Sequence, residues 1–188
     1  MSRVILGVDP GLTRCGVAVI RTNDRRKVEL VHVDTLKTSA DVELSERLLD
    51  IGSRIEKLIL EHKPNQIAIE RVFAQANVRS VMGVAQISGV VLYLAKKHGV
   101  SVQMHTPSEV KAAVTGSGRA QKAQIGSAVA KILGLTSIPK PADSADAIAI
   151  AICNAWKSGI PESGKSTRTS AQDAWIAAER VASRRRKA

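Results

Sequence analysis

The residues best placed to do chemistry are acids at the edges of apolar runs. Val4-Ile5-Leu6-Gly7-Val8 leads straight into Asp9, and Ile67-Ala68-Ile69 straight into Glu70. Both runs have the length and apolarity of buried strands. Asp143 and Asp146 open a third apolar segment, and at a spacing of three they share one helix face. Each acid has an ordinary explanation taken alone: a solvated strand end for Asp9 and Glu70, a favourable helix dipole for Asp143 and Asp146. Ionised carboxylates nevertheless avoid the interior unless paired or metal-bound, and three distant pieces of chain each set acid at the edge of the core. If these pieces meet, four carboxylates share one place and raise one another's pKa. Divalent cations relieve that repulsion. Oxygen-only donors suit Mg2+ or Mn2+, with no soft ligand to select zinc. Two such ions about 4 Å apart serve in-line phosphodiester displacement, one activating the attacking water and the other stabilising the leaving 3′ oxygen.

The elements that must deliver these acids follow from the pattern. Strands are predicted over 3–9, 15–21 and 28–36, joined by turns at Pro10-Gly11-Leu12-Thr13 and Thr22-Asn23-Asp24-Arg25-Arg26. A capping pattern at Thr38 and Asp41 precedes a helix to about residue 62, with Val42, Leu48, Leu49, Ile55, Leu58 and Ile59 at helical spacing. After a hairpin and a crossover helix, the Glu70 strand is expected beside and parallel to the Asp9 strand, carboxyl ends together. A helix over 77–97 is apolar on more than one side and contains Gly83 and Gly89. It needs two partners: the sheet, and either a second subunit or more of its own domain. A strand over 100–105 follows. Thr106-Pro107-Ser108-Glu109 then starts a helix, a loop runs from Thr115 to Arg119, and helices over 121–133 and 142–156 flank Ile138-Pro139-Lys140-Pro141.

Composition narrows the class. The 188 residues carry a net charge of +11, which favours a polyanion, most simply nucleic acid. One domain is expected over 1–157. Residues 158–188 form a basic tail whose composition predicts disorder, with an amphipathic stretch at 171–186. From Lys157 onward there are eight basic and three acidic residues. The closing Arg184-Arg185-Arg186-Lys187 is either a solvated tail or a phosphate-binding arm. Gly159-Ile160-Pro161-Glu162-Ser163-Gly164-Lys165-Ser166 matches the letters of a P-loop, but a helix precedes it where a buried strand is required. Cys15 and Cys153 stand apart in apolar surroundings and read as buried thiols of a reducing compartment. No signal-peptide pattern and no run approaching ~18 apolar residues is present, so a cytoplasmic protein away from membranes is expected.

Gly7-Val8-Asp9-Pro10-Gly11-Leu12-Thr13, Ala68-Ile69-Glu70-Arg71-Val72-Phe73, His105-Thr106-Pro107-Ser108-Glu109-Val110-Lys111 and Ala142-Asp143-Ser144-Ala145-Asp146-Ala147-Ile148-Ala149 resemble, in order and spacing, the RuvC-type Holliday junction resolvases. The resemblance covers about residues 3–156. It implies an α/β, ribonuclease H-like fold, with a five-stranded mixed sheet flanked by helices. It implies a homodimer joined through the 77–97 helix, which binds four-way junction DNA and resolves it by paired, symmetric, metal-dependent nicks during homologous recombination and DNA repair. Two Mg2+ per subunit are implied, with Mn2+ substituting, and the RuvAB branch-migration complex as partner. Carried over by position, Asp9, Glu70, Asp143 and Asp146 are the catalytic, metal-binding acids. Lys122 is catalytic, and Lys122 and Lys111 lie near the scissile phosphate. Phe73 stacks on an unpaired base. Arg119, which departs from the family pattern, is also expected to contact DNA. Arg119 and Gln121 stand where relatives often carry small polar and acidic residues. Two other classes compete. Asp9-Pro10-Gly11-Leu12-Thr13 also resembles the first phosphate loop of actin-like ATPases and sugar kinases, although 188 residues are too few for that two-domain architecture. A DNA-binding architectural protein without catalysis would carry the same acids as surface decoration.

Overall fold

The computed structural model describes residues 2–23, 26–71 and 78–157, and only the backbone of 78–80. Phe73, the expected helix start at Asn77, the tail over 158–188 with its predicted disorder and amphipathic stretch, and the P-loop-like segment over 159–166 lie outside the described residues. The chain runs β1 (Arg3–Asp9), β2 (Arg14–Thr22), β3 (Val28–Lys37), α1 (Leu44–His62), β4 (Gln66–Glu70), α2 (Val78–Lys97), β5 (Ser101–His105), α3 (Pro107–Thr115), α4 (Lys122–Leu133) and α5 (Ala142–Lys157). The strands form one five-stranded sheet in the order β3-β2-β1-β4-β5. The first three strands pair antiparallel; β1, β4 and β5 pair parallel. This is the mixed sheet flanked by helices that was expected, with the Asp9 and Glu70 strands adjacent as the crossover rule requires.

One start differs. Helix α1 begins at Leu44, where the Glu43 side chain accepts from the backbone N–H groups of Ser45 and Glu46. Thr38 is not the cap because its hydroxyl is used elsewhere, accepting from Arg47 Nε at 2.9 Å. Helix α3 starts as read, with a reciprocal capping box between Thr106 and Glu109.

Side chains alternate across a strand, and this decides what each face carries. Leu6, Val8, Val17, Val19, Ile67 and Ile69 pack with Ile51, Ile55, Ile87 and Val91 of α1 and α2. The opposite face carries Ile5, Ala18, Ile20 and Ala68 and is covered by α3, α4 and α5. Helix α5 is buried almost all round. It lies directly on a floor of small residues. A Cβ at Gly7 would meet the Ala147 carbonyl and stand 2.8 Å from Ala151 Cβ, and a Cβ at Gly16 would meet the Asp143 carbonyl. At the far end of α5, Asn154 is clamped by His105 Nε2 and by Gln66 Oε1, each at 3.0 Å. Both cysteines are buried free thiols, as read. Burial pushes Cys15 up to about 12 and Cys153 up to about 11. No helix among the described residues is long and apolar enough to cross a membrane.

The floor makes a prediction about packing. Gly16→Ala and Gly7→Ala each drive a methyl into α5 backbone, and overpacking of this kind costs about 1–3 kcal/mol. Urea unfolding followed by circular dichroism should show that loss for both; unchanged midpoints would mean that α5 is not held at this depth.

Candidate active site

The alternation that places Ile5 and Gly7 under α5 places Asp9 there too. The same phase puts Glu70 beyond Ala68 on β4, and Arg14 ahead of Gly16 on β2. Asp9 pairs across the hairpin with Gly16. Val8 is level with Ile69 in the parallel pair, so the next residues, Asp9 and Glu70, leave their strands side by side. Gly16 in turn underlies the Asp143 carbonyl, which sets the first turn of α5 above both strand ends.

The turn between β1 and β2 is held from behind. Thr38 N–H donates to the Thr13 carbonyl at 3.1 Å. The buried Arg47 side chain donates to Thr38 Oγ1 at 2.9 Å and to Thr13 Oγ1 at 3.0 Å. A Cβ at Gly83 would stand 3.1 Å from Leu12 Cβ, so this glycine lets α2 close against the turn. Gly83 therefore marks a close approach, whereas a Cβ at Gly89 would find nothing within 4 Å.

Electrostatics report the convergence. Burial pushes Asp9 up to about 7, aided by the charges of Glu70, Asp146 and Asp143 and opposed by Lys122. Burial also raises Glu70, with Asp146 adding to the shift and Lys111 and Lys122 opposing it. The Asp146 charge, foremost, raises Lys122. Four acids and two lysines read from the sequence thus feel one another across β1, β4, α3, α4 and α5. Two of the acids hold a cation directly: Lys122 Nζ lies 3.4 Å from Asp146 Oδ2, and Arg14 Nε lies 2.6 Å from Asp143 Oδ2. Arg14 was not singled out in the sequence. Its one signal is the hairpin register, which puts it two residues ahead of the partner of Asp9. Arg119 is exposed on the loop before α4 and forms no ion pair among the described residues.

The donor set suits a hard divalent cation. All four ligand candidates are carboxylates, and the repulsion that adds to burial in lifting Asp9 is what such a charge would relieve. The side chains do not form a closed cage: among the described residues no three His, Cys, Asp or Glu groups are placed to hold an ion together. Asp143 is drawn to Arg14 and Asp146 to Lys122. Beside them lies a cleft of about 670 Å³ with Lys122 and Asp146 at its edge and walls of Ile138, Pro139 and Pro141.

Known proteins are similar to this chain in sequence and fold. Residues 5–154 match the family model described as crossover junction endodeoxyribonuclease RuvC. The crossover junction endodeoxyribonuclease RuvC of Clavibacter michiganensis is 50% identical over 200 residues, covering 97% of this chain and 99% of the relative. Among solved structures, Thermus thermophilus RuvC in complex with a Holliday junction substrate superposes with a TM-score of 0.80 at 33% identity, over 84% of this chain and 95% of that one. The yeast mitochondrial Holliday junction resolvase Ydc2 has a TM-score of 0.60 at 14% identity, over 82% of this chain and 79% of that one, and shares the fold. The sheet order, the helix that carries two acids onto the strand ends, and the match over most of the chain agree: the fold is ribonuclease H-like, and the chain belongs to the RuvC family of crossover junction endodeoxyribonucleases.

Proposed function

We propose that this protein resolves four-way DNA junctions by paired, symmetric, metal-dependent nicks in recombination and repair. One observation carries the mechanism: Asp9, at the end of the central strand, is raised to about 7 by burial and by the three other acids of the set. Nucleases of this family depend on divalent metal. Asp9, Glu70, Asp143 and Asp146 are the residues that would hold it, as two Mg2+ per subunit for which Mn2+ substitutes. When bound, such ions activate the attacking water and stabilise charge on the leaving oxygen.

The protein's own residues do the rest. Lys122, beside Asp146, and Lys111, beside Glu70, present positive charge where a scissile phosphate meets the acids. Arg119 reaches DNA from the exposed loop before α4, and Phe73 stacks on an unpaired base. The net charge of +11 supports a polyanionic substrate. Residues 1–157 form the nuclease domain and 158–188 a basic appendage. The protein works in the cytoplasm, with the RuvAB branch-migration complex as partner.

A homodimer through α2 accounts for paired nicks. Its outward face carries Met82, Leu92 and Tyr93 at 54%, 40% and 66% exposure. Gly89 lies on the same side with open space before it. Large apolar groups gathered on one exposed helix face are typical of a surface that meets another protein. An actin-like ATPase is disfavoured by membership of the nuclease family.

Three outcomes are expected. On a labelled synthetic four-way junction with Mg2+, the protein cuts opposed strands and leaves linear duplex of the same sequence intact. Asp9→Asn and Glu70→Gln lower the rate about a thousandfold or more, since metal stabilises the transition state by several kcal/mol, while gel-shift binding persists. Normal cutting by both variants would mean that the site assignment is wrong, whereas a wild-type protein that binds the junction without cutting it would leave an architectural DNA-binding protein.

The second outcome concerns pH. Asp9 has a folded value of about 7 against an ordinary 3.8, so the fold disfavours its ionised form. Well below 3.8, the side chain is neutral folded or unfolded and contributes nothing. The destabilisation builds as pH rises toward about 7 and then levels off. In metal-free buffer, Asp9→Asn should therefore melt above wild type at pH 8, and most of the gap should be gone by pH 4. Added Mg2+ should narrow or reverse it, because a bound ion stabilises the protein able to hold it. Equal melting curves at pH 8 would contradict the crowding.

Third, Met82→Glu together with Leu92→Glu should convert a dimer into monomers by sedimentation velocity and abolish paired nicking. A variant that stays dimeric would move the interface away from α2.

A further inference from the structure

Two of the four acids stand against a tethered cation, and one of these cations, Arg14, has no part in the chemistry described above. Arg14 opens β2 on the face that Gly16 and Ala18 turn toward α5. Gly16, two residues on, lies against the Asp143 backbone carbonyl. Backbone packing therefore holds the roots of the Arg14 and Asp143 side chains at short range. The resulting contact, Nε to Oδ2 at 2.6 Å, is shorter than the Lys122–Asp146 contact at 3.4 Å. Both partners are partly open, at 46% and 24% exposure. A pair this open is weak and reversible.

A carboxylate oxygen that accepts from a guanidinium cannot offer the same lone pair to a metal. The two positive charges also repel across one carboxylate. We infer that Arg14 is a positioning residue that competes with the divalent cation for Asp143, and so sets the metal concentration at which the site fills. Arg14 thus acts through Asp143, as a stand-in charge that a metal must displace; it is not itself a metal ligand. The inference rests on the assignment of Asp143 to the metal-binding acids. Lys37 provides a matched control. It is the register partner of Arg14 across β2 and β3, is exposed, and forms no ion pair among the described residues. Removing it takes away the same charge from the same sheet edge without touching Asp143.

The test is Mn2+ binding to the DNA-free full-length protein, read from the free-ion electron paramagnetic resonance signal. Arg14→Gln should bind Mn2+ about threefold more tightly, the scale expected for release of an open ion pair. Arg14→Lys should stay near wild type, because it keeps the charge, and Lys37→Gln should match wild type. The Mg2+ needed for half-maximal junction cutting should fall in Arg14→Gln in step with the Mn2+ result. Unchanged Mn2+ affinity in Arg14→Gln would overturn competition, and so would an equal gain in Lys37→Gln, which would point to the general field alone. Asp143→Asn separates this from the underlying assignment. It should weaken Mn2+ binding, and an Asp143→Asn affinity equal to wild type would overturn the metal site itself.

Discussion

The depth at which α5 lies on the sheet governs this molecule. Helix and sheet usually stand apart by the thickness of two side chains. Here Gly7 and Gly16 offer none, and Ala18 and Ala68 offer little, so α5 backbone comes down onto strand backbone at the Ala147 and Asp143 carbonyls. That contact lies two residues from the strand ends bearing Asp9 and Glu70, and within the first two turns of α5, which carry Asp143 and Asp146. Bulkier residues in the floor would lift the helix and carry its two acids away from the strands. The apolar body of α5, from Ala147 to Ala155, holds it down against the repulsion at its acidic end.

That repulsion is the second term of the balance. Like charges brought together in a partly desolvated place raise one another's pKa, and Asp9, the most enclosed of the strand-end acids, takes the largest effect. The fold answers with charge from other elements: Lys122 from α4, Lys111 from α3 and Arg14 from β2. None of these cations neutralises the whole set, and each is partly open to solvent. The site is therefore negative within a chain whose net charge is +11. The two signs suit a substrate that is a polyanion held by the surface and a hard cation held by the acids.

Much of this was legible in the residue order because it depends on local rules. An apolar run ending in acid marks a strand end, and a hairpin followed by a crossover helix makes the Asp9 and Glu70 strands neighbours. What was not legible depends on register and on competition for hydrogen bonds. The Asp143–Arg14 contact needs the hairpin register that sets Asp9 opposite Gly16, together with the seating of Asp143 over that glycine. The start of α1 was misplaced because Thr38 looks like a cap in sequence, whereas its hydroxyl is taken by Arg47 in tying down the Pro10–Thr13 turn. The two glycines of α2 look alike in sequence and differ in space: Gly83 faces Leu12, and Gly89 faces outward.

That last difference joins the two halves of the proposed activity. Through Gly83, α2 presses on the turn whose two ends carry Asp9 and Arg14. Through Met82, Leu92 and Tyr93, the same helix presents its exposed apolar face. Ile87, Val91 and Leu94 anchor it to the sheet between these contacts. A helix so anchored transmits displacement as a rigid body, because close-packed interiors do not absorb small shifts. A second subunit pressing on the outer face would thus bear on the turn behind Asp9 with no intervening loop. In the proposed homodimer, the two sites would then be coupled through a single helix in each chain.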